Sequence, residues 1–153
     1  MKNLKEELYR IINNTEIFDI HTHLFPSSFK THYLSGIGEV LNYHYLIAEL
    51  LTSTNITPKA FYHLNNKDRA KKIWDELFIK QTPVSEACKG VLTILSSFEI
   101  DYSSKSFDQI NTEYLELNLS DQDILHRSKI SNLVMTNNPF DLEEWKLFEK
   151  KDW

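Results

Sequence analysis

Two short clusters in this chain carry the residues best suited to chemistry. The first is His21-Thr22-His23, which directly follows the apolar stretch Glu16 to Ile20 (EIFDI). On a β-strand, positions i and i+2 point to one face. Two imidazoles so placed can converge on a single cation such as Zn2+, which takes ring nitrogens as ligands. Asp19 lies on the same face, one step deeper, where it can orient a histidine or serve as a structural hydrogen-bond partner. A bare H-x-H is common by chance; here an apolar strand precedes it and a Leu-Phe-Pro turn follows it. Zinc wants three protein ligands or more, so the pair is only part of a site. The second cluster is Tyr43-His44-Tyr45. A helix packed over the strand end can project His44 as a proton carrier and Tyr45 as a phenol that hydrogen-bonds a substrate oxygen. An aromatic packing cluster is the competing reading. His32, His63 and His126 have no convincing partners. Cys88 lies on an apolar stripe and reads as core. Arg10, Arg69 and Arg127 sit in polar helical settings.

The elements that must position these residues are mostly helices. Leu4, Leu8, Ile11 and Ile12 predict a helix over 2–13. A short strand over 16–20 then runs into the two histidines, and Pro26-Ser27-Ser28 marks a loop. Residues 39–52 read as one helix with Val40, Ile47, Leu50 and Leu51 inward. Thr57-Pro58 starts another, with proline in the first turn. Asn66 is expected to cap a helix over 67–80, and Thr82-Pro83 to open one with Val84, Ala87, Cys88, Val91, Leu92 and Leu95 inward. Ser106 and Gln109 form a candidate capping box ahead of Phe107, Ile110, Tyr114 and Leu117. Ser120 is expected to cap a helix reaching Arg127. Residues 131–136 (SNLVMT) read as a buried strand, 137–139 as a turn, and Asp141 with Glu144 as a helix start with Trp145 and Phe148 inward.

Composition bounds the rest. The 153 residues include 41% hydrophobic and 25% charged, as in a globular domain with a real core. Three glycines occur, against a usual ~7%, which favours helices. A net charge of −5 argues against non-specific nucleic-acid binding. No apolar run approaches a membrane span, and the N-terminus lacks a secretory stretch. One cysteine excludes an intrachain disulfide and fits a cytoplasmic setting.

The stretch FDIHTHLFP, Phe18 to Pro26, resembles the strand-1 metal motif of the amidohydrolase superfamily. The spacing to Asn42-Tyr43-His44-Tyr45 resembles the uronate (glucuronate) isomerase branch, and LVMTNNPFD, Leu133 to Asp141, resembles that branch's second strand and its Thr-x-x-Pro turn. The resemblance implies a (β/α)8 TIM barrel, with this chain as its N-terminal portion. Residues 1–25 would hold the first helix and strand 1, 26–130 the family's long helical insertion, and 131–153 strand 2 and the following helix. It implies aldose–ketose isomerisation of a hexuronate, D-glucuronate to D-fructuronate in type. His21 and His23 would be ligands to a divalent metal, usually zinc, and His44 and Tyr45 would contact or deprotonate the substrate. The family's remaining histidine, aspartate and arginines come from later strands, and a barrel takes ~250 residues. The chain is then either a truncated portion of the barrel or one that a complementing chain or self-association completes. The chain itself should be mostly α-helical with two short parallel strands. Two alternatives stand beside the isomerase: a metal-dependent hydrolase of the same superfamily, and a non-catalytic helical fragment.

Overall fold

The computed structural model describes residues 3–23, 36–103, 105–136, 138, 140–142, 145 and 146. Among them the chain is mainly helical, with two six-residue strands that pair in parallel. It divides into two compact units, Met1–Tyr33 with Leu119–Trp153, and Leu34–Asn118.

The first unit holds helix α1 (Leu4–Asn14), strand β1 (Ile17–Thr22), helix α8 (Asp121–Arg127) and strand β2 (Ile130–Met135). Its connections follow ordinary local chemistry. Ser120 caps α8 in a capping box with Asp123, and Lys129 takes a left-handed φ of 54° that lets the chain turn from α8 into β2. Leu4, Leu8, Ile11 and Ile12 do share a helical face, yet no residue of α1 is buried. Leu133 and Met135 are half-buried. On the two strands the exposed apolar residues are Ile17, Phe18, Ile20 and Val134, and β2, expected to be buried, holds no buried residue. Trp145, expected inward, is 56% exposed. The loop at Pro26, Ser27 and Ser28 lies outside the described residues, as do His32, Asn137, Pro139, Glu144 and Phe148.

The second unit holds α2 (Ile37–Leu41), α3 (His44–Ser53), α4 (Pro58–Tyr62), α5 (Asn66–Ile73) with a π-helical continuation (Trp74–Ile79), α6 (Glu86–Ser97) and α7 (Phe107–Glu116). All fifteen buried apolar residues among the described residues lie between Ile37 and Ile110, with Phe61, Trp74, Leu50 and Leu95 among the largest. Cys88, Val91 and Leu95 line the inner face of α6 as their spacing predicts.

Three boundaries differ from expectation. The helix foreseen over 39–52 is two, broken at Asn42 and Tyr43, where Tyr43 has an extended ψ of 143°. The cap of α5 is Asn65, whose side chain accepts the Asp68 amide, and Asn66 is already helical. Thr82-Pro83 does not start α6: Val84 N–H closes a tight turn onto the Thr82 carbonyl, and Ser85 caps the helix by accepting the Cys88 amide at 3.1 Å. Val84 consequently points to solvent.

Candidate functional site

Strand β1 pairs with β2 through Ile17 with Ile130, Phe18 with Asn132, Asp19 with Leu133, and Thr22 with Met135. Three steps on β1, from Asp19 to Thr22, face only two on β2, from Leu133 to Met135. Ile20 and His21 together therefore stand against one residue. This bulge-like register shift falls at the first histidine, and a shift of opposite sign lies between Ile17 and Phe18. The shift at His21 breaks the strict alternation that would have set Asp19, His21 and His23 on one face. The His21 amide is satisfied locally: Asp19 Oδ1 accepts its N–H at 3.0 Å. Of the two roles open to Asp19, the structure places its carboxylate on the backbone of His21.

The two imidazoles nevertheless come together. Their ring centroids are 5.2 Å apart and their planes cross at 80°. Both side chains are exposed, at the strand end and just beyond it. Ring nitrogens are the right donors for zinc, but two fall short of the three that a zinc site requires. Among the described residues no group of three or more His, Cys, Asp or Glu could hold a cation. His21 and His23 are thus two neighbouring exposed imidazoles.

Tyr43, His44 and Tyr45 stand on the other compact unit. Tyr43 is the N-cap residue of α3 and His44 its first helical residue. The His44 ring lies 4.2 Å from Tyr43 and 4.2 Å from Tyr45, centroid to centroid. All three side chains are exposed, while Leu41 and Leu46 on either side are buried. Tyr43 and Tyr45 also border an apolar groove of about 260 Å³ floored by Ala87, Gly90 and Val91 of α6. The rings of the cluster pack against one another and still face outward. His63 has a local role, with Nδ1 2.8 Å from the Lys59 carbonyl oxygen.

Two further side chains, neither of them a candidate site residue in the sequence, tie helices together. Asn42 donates from Nδ2 to the carbonyls of Gly38 (2.9 Å) and Asn66 (2.8 Å), so it bridges α2 and α5. Glu49 of α3 accepts the Ser85 hydroxyl at 2.6 Å and ties α3 to the start of α6. Asn42 carries a weak signal, since it directly precedes the aromatic triplet inside an apolar helical pattern. Glu49 carries none, being one more carboxylate in a helix.

No family model matches the sequence, and no curated protein does. Among solved structures the chain is similar to a uronate isomerase from Bacillus halodurans C-125, with a TM-score of 0.80 and 37% identity. The match covers 95% of this chain and 35% of that one, so the chain spans about a third of that enzyme's length. The chain resembles part of a uronate isomerase, consistent with an N-terminal portion.

Proposed function

We propose that the chain forms the N-terminal part of a uronate isomerase-like enzyme, a metal-dependent (β/α)8 barrel acting on a hexuronate such as D-glucuronate. The observation that carries this reading is the approach of the His21 and His23 rings at the end of a parallel strand. The likeness to a uronate isomerase over nearly the whole chain supports it.

In this reading His21 and His23 are two ligands of a divalent cation, zinc by resemblance, and the remaining ligands come from further barrel strands, a complementing chain or a second copy. When bound, the cation polarises a sugar oxygen. His44 takes the proton from C2 of the aldose and returns it at C1, while the hydroxyl proton passes from O2 to O1. The enediol lies between, and aldose and ketose balance as isomers. The Tyr45 phenol hydrogen-bonds a sugar oxygen and holds the chain of carbons in register. A cytoplasmic setting belongs to the same proposal. No helix among the described residues is long and apolar enough to cross a membrane.

The test supplies the missing strands, using the portion of the Bacillus halodurans enzyme that this chain does not match, and follows D-glucuronate by NMR in the presence of zinc. Keto-acid formation by the complemented protein, falling to background in His23→Ala, is the expected result. Hydrolysis of an ester or lactam without any isomerisation would overturn the isomerase reading in favour of a hydrolase.

A further inference from the structure

We propose that Asn42 is the positioning residue for His44 and Tyr45; its importance for catalysis rests on the proposed isomerase reading. Residues 37–53 have the apolar spacing of one continuous helix, yet the chain breaks at Asn42 and Tyr43. The break decides where the aromatic triplet points, because each residue added to a helix rotates the next side chain by ~100°. Leu41 and Leu46 anchor the two sides of the corner in the core. Between them Tyr43, His44 and Tyr45 are exposed, and Asn42 supplies a side-chain tie. Both N–H groups of its amide are used, one on the Gly38 carbonyl of α2 and one on the Asn66 carbonyl of α5. Its Oδ1 is buried with no hydrogen-bond partner among the described residues.

That asymmetry shows which end of the amide is needed. Aspartate would place an acceptor against two carbonyl oxygens. Leucine, of similar shape, would lose both donors at a cost in stability, part of which is offset by removing the unpaired oxygen. Without the tie, the local preference for a continuous helix is free to act across residues 42 and 43.

The experiment uses the full chain, as parent, Asn42→Asp and Asn42→Leu, observed by NMR. In either folded variant the Cα shifts of residues 42 and 43 should move to helical values. The His44 ring signals should lose the upfield displacement given by Tyr43 and Tyr45, together with the ring–ring NOEs. Asn42→Leu covers the case in which the charge of Asn42→Asp prevents folding. Unchanged Cα shifts and an intact ring cluster in folded Asn42→Leu would overturn the proposal. Titration of the labelled parent, complemented with the further strands and zinc as above, with D-glucuronate separates it from the isomerase reading. If the sugar leaves His44 unmoved while the variants lose the ring cluster, the positioning role stands and the substrate reading falls. If the sugar moves His44 and the variants keep the cluster, the positioning role is overturned.

Discussion

Between α3 and α6 a carboxylate, a hydroxyl and a thiol meet within one hydrogen-bonded knot. Glu49 Oε2 accepts the Ser85 hydroxyl, Ser85 Oγ accepts the Cys88 amide, and Cys88 Sγ lies 3.8 Å from both Glu49 oxygens. Burial pushes the Cys88 thiol upward, and the negative Glu49 adds to that push. The thiolate is the reactive form, so the native thiol should be inert at neutral pH. Ellman's reagent should label it only at the rate of unfolding, and prompt stoichiometric labelling of the native chain would contradict this placement. The core role of Cys88 was legible because its neighbours Val91 and Leu95 repeat on one helical face. The register shift at Ile20 and His21 was not. A strand's register depends on its partner, and nothing in EIFDIHTH states that β2 offers one residue where β1 offers two. The H-x-H spacing thus pointed to a pair of imidazoles that do approach, through a backbone that departs from regular alternation.

Helix ends obey chemistry that the sequence displays openly when a single candidate exists. Ser106 with Gln109, Thr57 with Pro58, and Ser120 all cap as expected. Where candidates compete, spacing alone does not choose: Asn65 wins over Asn66, and Ser85 over Thr82. Glycine scarcity correctly favoured helices but undercounted turns, since Glu99, Asn118 and Lys129 occupy the left-handed region in glycine's place. Glu99 does so in a Schellman turn, where the Ile100 amide reaches the Leu95 carbonyl and Ile100 itself is buried. The π-helical segment brings its own electrostatics. Glu76 accepts from Lys80 at 2.8 Å and from Lys72 at 2.9 Å, and these ammonium groups, Lys80 foremost, hold its carboxyl below the usual glutamate range. A depressed folded-state value means that the contribution is complete above the unfolded-state value and disappears as pH falls through the folded one. Glu76→Gln should therefore melt below the parent at pH 7, with the gap closing in acid and shrinking in salt. Melting scans between pH 7 and pH 2 check this, and a gap that widens in acid would contradict it.

Across the whole chain, stability is distributed unevenly. Every buried apolar side chain among the described residues belongs to the helical unit, whereas α1 and the two strands leave Leu4, Ile12, Phe18 and Ile20 exposed. A fragment of residues 34–118 should accordingly show helical circular dichroism and a cooperative melt by itself; a broad, non-cooperative melt would contradict that assignment. The full chain should self-associate through its uncovered strands and first helix, and Ile20→Lys should shift sedimentation toward monomer. The preponderance of helix and the two short strands could be read from apolar spacing, while their parallel pairing was implied by the barrel resemblance. The division into a packed unit and an uncovered one could not, because periodicity locates an apolar face without saying what covers it.

Gly36 and Leu115 are nearly the first and last residues of the helical unit, and a methyl group added at Gly36 would sit 3.3 Å from Leu115 Cδ2. The Gly38 amide is likewise held by Asn111 at 3.2 Å. The unit therefore opens and closes at one spot, as a cassette does. It could be spliced into, or out of, a host scaffold through a single gap, with little stretching of either partner.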